Sequence, residues 1–362
     1  MKNISTRTTI CLMFIMISNN TLFSSQHKQN SSGQWWNVPY PAKFDVEKIS
    51  KKLGFVRVEG NKFVDKNGKS VIFRGVNISD PDKIKKNGHW EKRHFEVIKE
   101  WGANIVRIPV HPVAWRERGK DEYLKLLDEA VIWASELDLY LIIEWHSIGN
   151  LKTGLFQHQM YNTSQQETYN FWRSVAFRYQ NVPTIAFYEI FNEPTMYNGR
   201  LGQMTWEQWK EINEEIINII FSHDKNVIPL VAGFSWGYDL KPVKENPIEI
   251  KGIGYVSHPY PQKTTEPFEE NWERDFGFVA DKYPLFATEL GFMAAEDPGS
   301  HIPVISDERY GQRIIKYFKK KGISWTVWNF DPDWPPQMIS DWNYTPTKQG
   351  LFFKNVMLNW DD

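Results

Sequence analysis

The sequence predicts one closed (β/α)8 barrel, the TIM-barrel fold, preceded by a β-hairpin. Eight short aliphatic or β-branched runs recur along the chain: Val71–Asn77, Asn104–Pro109, Tyr140–Trp145, Ile185–Phe191, Val227–Ala232, Gly252–Ser257, Leu285–Glu289 and Ser324–Trp328. Between them lie stretches of helical apolar spacing, among them Trp90–Trp101, Tyr123–Leu137, Gln165–Tyr179, Thr205–Ser222, Pro267–Lys282 and Asp307–Lys321. No linker or break in composition divides the series. Strict strand–helix alternation demands parallel strands, because each helix carries the chain back across the sheet. Eight such units in one domain close into a barrel. The competing doubly wound sheet wants a Gly-rich phosphate turn after its first strand, and Phe73-Arg74-Gly75-Val76-Asn77 is not one.

Taken from the N-terminus, Lys2 and Arg7 precede the apolar run Ile10–Ile17, after which the chain turns polar at Ser18-Asn19-Asn20. That run is too short to cross a bilayer. It reads as a secretory signal peptide over residues 1–25, cleaved around Ser24 to Gln26, with an N-terminal anchor as the alternative. A secreted, periplasmic or cell-surface protein is expected. The single cysteine, Cys11, lies in this segment, so the processed chain would have no disulfide, thiolate zinc site or cysteine nucleophile. Residues 26–54 read as a linker and N-terminal extension, and 55–362 as the catalytic barrel. Phe55–Val64 alternates, and Asn67-Gly68 within Asp65–Lys69 favours a tight hairpin turn. A calcium loop at Asp65–Gly68 would need a distal Glu that is missing.

The chain has 362 residues, 41% of them hydrophobic, and 43 basic against 44 acidic side chains. It can bury a large core, and its charge balance argues against disorder and against nucleic acid as a partner. Nothing implies a protein partner. Its 17 Trp exceed what a core of this size ordinarily needs, which points to a surface that binds something flat.

In a barrel of this kind chemistry gathers where strands end. The ends read Asn77, Arg107, His146, Asn192-Glu193, Trp236, His258 with Tyr260, Glu289 and Trp328. Such a set of polar and aromatic residues at equivalent edges marks a site. Glu193 is followed at once by Pro194, and Glu289 closes the seventh run, so two carboxylates face each other from the fourth and seventh strands. Two opposed carboxylates in a mouth lined by Trp suit glycoside hydrolysis, with one proton donor and one group that takes the anomeric carbon. Metal ligation is the weaker alternative, since the mouth shows no third or fourth carboxylate and the chain no H-E-x-x-H. No cofactor or metal is expected.

The motifs Val106-Arg107-Ile108-Pro109, Glu144-Trp145-His146, Asn192-Glu193-Pro194, His258-Pro259-Tyr260, Thr288-Glu289-Leu290-Gly291 and Trp325-Thr326-Val327-Trp328 occur in this order. In them the chain, from about Val58 to Phe352, resembles glycoside hydrolase family 5, the cellulase-and-mannanase family of retaining (β/α)8 enzymes. The resemblance implies that Glu193 is the acid/base and Glu289 the nucleophile. Arg107 would hold Glu289 ionised and Tyr260 would add a hydrogen bond. Asn192 would bond the sugar 2-hydroxyl, His146 and His258 would bond hydroxyls or the carboxylates, and Trp328 would floor the −1 subsite. Asn77 joins this substrate-binding set. Glu189, of the same strand parity as Glu193, is expected deeper, as a hydrogen-bonded buried carboxylate.

The other tryptophans divide by position. Trp101, Trp133, Trp172, Trp206 and Trp209 fall in helical patterns and should pack against the barrel. Trp145 alternates away from the site. Trp236, Trp334 and Trp342 lie in loops and are candidates for stacking along the cleft. His111, Trp115 and Trp90 are candidates for glycone subsites, and Ser147–Thr163, with Phe156, His158 and Tyr161, is long enough to form one side of the cleft. The implied activity is a retaining endo-β-glycanase acting on a neutral polysaccharide or oligosaccharide, cellulase-type β-1,4-glucan first. β-Mannanase, xyloglucanase and β-1,3-glucanase are alternatives, and a non-catalytic carbohydrate-binding barrel or a metal-dependent hydrolase would be of a different class.

Overall fold

All eight runs become strands of one closed parallel barrel. The computed structural model describes residues 34–360 apart from Lys52, so the signal-peptide segment lies outside the described residues. In chain order the strands are the hairpin pair β1 (Arg57–Glu59) and β2 (Lys62–Val64), then β3 (Arg74–Asn77), β4 (Ile105–Val110), β5 (Tyr140–Trp145), β6 (Ile148–Asn150), β7 (Leu155–Phe156), β8 (Ile185–Glu189), β9 (Glu193–Pro194), β10 (Ile228–Ala232), β11 (Gly254–Val256), β12 (Leu285–Ala287) and β13 (Ser324–Val327). The barrel runs β3-β4-β5-β8-β10-β11-β12-β13 and closes β13 on β3. Several strands are shorter than their apolar runs because the last residues of those runs leave the ladder to form the mouth.

The hairpin differs from expectation. The alternating stretch Phe55–Val64 is not one strand: it folds back at Gly60-Asn61, pairing Arg57 with Val64 and Glu59 with Lys62. Gly60 takes a left-handed φ of 60°, which glycine adopts without Cβ strain. The Asn67-Gly68 turn comes next, closed by Asp65 and Lys69, and leads into a single bridge between Val64 and Ser70. Three helices, Pro81–Lys86, Pro112–Arg118 and Lys348–Leu358, escape the apolar-spacing reading. The first two are short and start with proline at a position where its missing N–H costs nothing. Pro267–Lys282 is not one helix but an α-helix, Phe268–Asp275, followed by a 3-10 turn, Gly277–Asp281.

The bottom of the barrel is an aromatic plug. Phe73, Phe187 and Phe286 meet there, and the hairpin delivers Phe63 to within 4.9 Å of the Phe187 ring and 6.1 Å of the Phe73 and Phe286 rings. Above it, β3 and β4 approach so closely that a Cβ on Gly75 would lie 1.9 Å from the Ile105 carbonyl oxygen. The outer helices pin the strands with indoles. Trp172 donates to the Ile190 carbonyl and Trp209 to the Ala232 carbonyl, at 3.0 and 2.9 Å. Residues 34–51 run along the outside, where Tyr40 stacks on Phe177 and Phe44 is buried against Tyr179. No helix among the described residues is long and apolar enough to cross a membrane.

Because Phe63 fills the barrel bottom from outside the barrel, Phe63→Ala should leave a cavity that the eight strands cannot collapse around. The expected cost is about 3–5 kcal/mol, read as a lower denaturant midpoint with native circular dichroism before the transition. An unchanged midpoint would show that the hairpin does not support the barrel.

Candidate active site

Register sets the site. Asn77 pairs with Arg107 across β3 and β4, and Glu144 pairs with Glu189 across β5 and β8. Four polar residues thus project into the barrel from adjoining strands. Arg107 is fully buried, and each of its five N–H bonds finds an acceptor. Nε and Nη2 bind both oxygens of Glu189 at 2.7 Å, Nη1 binds Asn77 Oδ1 at 2.8 Å and Glu289 Oε1 at 2.9 Å, and Nη2 also binds Asn192 Oδ1 at 2.7 Å.

Glu193 and Glu289 are brought together above this cation. One oxygen of each and one nitrogen of His258 all lie within 4.8 Å of one another. Glu289 receives Arg107 on Oε1 and the Tyr260 hydroxyl on Oε2, at 2.9 and 3.0 Å. His258 Nδ1 stands 3.0 Å from Glu193 Oε1, and its Nε2 stands 3.0 Å from Thr288 Oγ1, whose hydroxyl donates to Glu189. The Glu193 backbone is fixed by a small sheet that apolar periodicity did not reveal. There β9 lies parallel to β6, pairing Ile148 with Glu193, and the Glu193 N–H donates to the Ser147 carbonyl.

The buried acids do not titrate alike. Burial would raise Glu189, but the Arg107 cation and hydrogen bonds from His258 and Arg107 hold it below the usual carboxylate value. Burial pushes Glu144 far up, because Arg107 reaches it only at 3.6 Å. Burial likewise drives the His146 ring well below its ordinary value, with His111, Arg107 and His258 adding to the effect. Glu144 and His146 stand 2.9 Å apart, and burial disfavours the charged form of each. Burial opposes charging His258, yet Glu289 and the hydrogen bonds to Glu189 and Glu193 outweigh it and lift the ring to about 9. Burial raises Glu289, opposed by His258 and Arg107.

Glu193, His258 and Glu289 also have the spacing of a metal site. The cluster holds two carboxylates and one imidazole; Glu144 and Glu189 lie below it, buried and outside the cleft lining.

The cleft above the pair has a volume of about 1240 Å³. Of the residues expected to touch substrate, His146, Asn192, Tyr260, Trp328, Trp236 and Trp334 line it, together with Glu193 and Glu289. Arg107, Asn77, His258 and His111 do not. Arg107, Asn77 and His258 are sealed beneath the mouth, and their polar groups are taken up by one another, by the carboxylates, by Asn192 and by Thr288. His111 binds Asp80 through Nδ1 at 3.2 Å and packs its ring 4.4 Å from His146. Trp328 lies nearly parallel to His146 and to Trp334, at 11° and 14°, with ring centres 5.5 and 6.3 Å apart. Trp90 donates to Glu129, Trp115 packs on Phe171, and Trp342 stacks on His89 at 4.3 Å, all away from the cleft. The Ser147–Thr163 insert does form one side, through Ile148, Gln157, Met160 and Tyr161 rather than Phe156 or His158. Sequence reading also missed Tyr197 and Lys263 in the cleft lining; nothing in strand periodicity marks them.

Comparison with known proteins agrees with this geometry. The family model described as cellulase (glycosyl hydrolase family 5) matches residues 64–333. A beta-glucanase from Saccharophagus degradans, solved in complex with cellotetraose, superposes with a TM-score of 0.88 and 52% identity, covering 91% of this chain and 100% of that one. Endoglucanase A of Butyrivibrio fibrisolvens is 28% identical over 77% of this chain and 61% of its own length. An endoglucanase of Clostridium saccharobutylicum is 24% identical over 76% of this chain and 56% of its own. The chain thus spans about three fifths of the length of these curated relatives. With a family match over most of the barrel and the opposed carboxylates at its mouth, the chain belongs to the cellulase family, glycosyl hydrolase family 5.

Proposed function

We propose that this protein is a secreted, retaining endo-β-glycanase that hydrolyses internal β-1,4-glucosidic bonds of glucans, with Glu193 as acid/base and Glu289 as nucleophile. The observation that carries the reading is the approach of the two carboxylates to within 4.8 Å in an open, aromatic-walled cleft. Retaining pairs stand about 5–5.5 Å apart, whereas an inverting pair needs room for a water between its members. The β-1,4-glucan assignment is supported by the relative bound to cellotetraose and by the endoglucanases it resembles. Export rests on the Ile10–Ile17 segment alone.

In the first step a Glu289 oxygen attacks the anomeric carbon while Glu193 gives its proton to the glycosidic oxygen. The C–O bond breaks, the shortened sugar chain leaves as an alcohol, and a glycosyl ester forms on Glu289. In the second, Glu193 takes a proton from water, the hydroxide oxygen adds to the anomeric carbon, and Glu289 departs as carboxylate. Two inversions give retention. Arg107, Tyr260 and the His258 imidazolium stabilise Glu289 as the anion before attack and after release. Having given up its proton in the first step, Glu193 is the carboxylate that takes one from water in the second.

Asn192 has a defined orientation for substrate. Its Oδ1 accepts from Arg107, which leaves Nδ2 buried with no protein partner and free to donate to a sugar hydroxyl. His146 also lines the cleft, and its Nδ1 stands 2.9 Å from the Glu144 carboxyl. Trp328 and Trp334 give the flat surface on which a pyranose face stacks.

Glu289→Ala should lower kcat on soluble β-1,4-glucan by about a thousandfold or more while polysaccharide binding survives; turnover close to wild type would overturn the assignment. Proton NMR of a digest should show the β-anomer first, and an α-anomer would exclude retention. A panel of carboxymethylcellulose, mixed-linkage glucan, xyloglucan, glucomannan and laminarin, with product sizing, tests the backbone preference. His258 gives a pH prediction. Its folded value of about 9 lies above the ordinary 6.5, so the stability it contributes is complete below about pH 6.5 and lost as pH rises through 9. Denaturant midpoints of the wild type and His258→Asn should therefore converge as pH passes about 9. A constant difference would show that the ring is not charged.

A further inference from the structure

Lys263 stands in the cleft wall just past Tyr260, and its ammonium is turned away from solvent onto the backbone. Nζ donates to the carbonyl oxygens of Ser235 and Trp236, each at 3.0 Å. These two residues adopt left-handed backbone conformations, φ 56° and ψ 53° for Ser235 and φ 57° and ψ 54° for Trp236, followed by Gly237 at φ 72°. Glycine is at ease there. Ser and Trp are not, because their Cβ crowds the following carbonyl, and consecutive L-residues in this region need something outside the turn to hold them.

The turn carries a cleft residue. The Trp236 indole lines the cavity, donates Nε1 to Gln157 Oε1 at 2.7 Å and meets the Tyr197 ring edge-on at 5.5 Å. The Lys263 ammonium also lies 5.3 Å from the centre of the indole, within cation–π range. At the other end of the turn, a Cβ on Gly237 would come within 2.9 Å of His258 Nδ1, and the Gly237 carbonyl accepts from the His258 backbone. The turn is therefore wedged between Lys263 and the histidine that contacts Glu193.

We propose that Lys263 is a positioning residue, which holds the strained Ser235–Trp236 carbonyls so that the Trp236 indole is a fixed stacking surface for the departing sugar. The side of the cleft follows from the glycosidase reading, on which this inference rests. Glu193 protonates the departing oxygen, so the leaving sugar lies toward Glu193. Trp236 follows β10, the neighbour of β8, and its ring touches Tyr197, four residues beyond Glu193. Burial lowers the Lys263 pKa, opposed by the charges of Glu193 and Glu289.

The test uses Lys263→Met, Lys263→Arg, Trp236→Ala and the double variant Lys263→Met/Trp236→Ala, each assayed on the β-glycan polymer that the wild type cleaves and on an aryl β-cellobioside. The polymer places a sugar against Trp236 as it leaves, and the aryl glycoside does not. Lys263→Met should lower kcat/KM on the polymer about tenfold, and by a clearly smaller factor on the aryl glycoside. Lys263→Arg, which retains donors for both carbonyls, should recover most of the loss. In the Trp236→Ala background Lys263→Met should add nothing. Equal losses on both substrates, additive losses in the double variant, or no loss at all would overturn the proposal. A wild type that cleaves mannan or a β-1,3-glucan instead would overturn only the substrate assignment, because the comparison is then made on that polymer.

Discussion

The mouth of the barrel is organised around one buried guanidinium. Removing Arg107 from water carries a large desolvation cost, which only well-placed anions and acceptors offset. Its five N–H bonds are satisfied by residues from four separate parts of the wall: Asn77 at the end of β3, Glu189 at the end of β8, Asn192 just beyond it, and Glu289 after β12. The guanidinium is planar and its donors diverge at fixed angles. Satisfying all of them therefore fixes the four acceptors relative to one another, which places Glu289 and Asn192 in the cleft and leaves Arg107 below it. Arg107→Lys would keep the charge but supply three donors in place of five.

The same cation separates two acids that would otherwise be equivalent. Glu144 and Glu189 are neighbours in register and equally buried, yet one is pushed up and the other held down. The difference is contact: Arg107 grips both oxygens of Glu189 and stands 3.6 Å from Glu144. Anionic Glu189 then accepts from Thr288, Thr288 accepts from His258, and His258 presents a proton to Glu193. Glu144 instead stands 2.9 Å from His146 Nδ1. Burial acts on both acids alike, so it is the grip of one arginine, helped by His258, that separates Glu189 from Glu144.

Much of the barrel was legible because parallel strands buried on both faces read as continuous apolar runs, and because polar residues that interrupt such runs at their C-terminal ends have few structural reasons to be there. Depth was legible for Glu189, four residues before Glu193, but not at the strand ends. Asn77, Arg107 and His258 share the strand-end positions of true cleft residues, but sequence gives parity and not height, and these three lie below the mouth. Glu144 was overlooked although it sits two residues before His146, on the same side of the strand; that spacing was the available signal. Trp90, Trp115 and Trp342 misled for a different reason. Trp90 and Trp342 occupy loops that fold back onto helices, and Trp115 lies in the short helix Pro112–Arg118; in each case the indole finds an acceptor or a ring partner away from the cleft. The β6–β9 ladder behind Glu193 is made of two- and three-residue strands, too short for periodicity to mark.

Two means of fixing side chains coexist in the cleft. The reacting carboxylates are held by ladders and by the guanidinium, where several bonds must break together before anything moves. The aromatic walls rest on loops, and there single lysines do the holding. Lys83 binds Asp331 and Asp333 after β13 and lies 5.3 Å from the Trp334 ring centre, as Lys263 binds the turn after β10 and lies 5.3 Å from that of Trp236. A flexible side chain that donates to a loop and also rests on its indole ties the ring to the backbone that presents it. An exchange at either lysine would thus alter how firmly one wall grips a sugar without displacing the carboxylates. This ties the ring-bearing loops to the barrel, on which the two carboxylates are anchored.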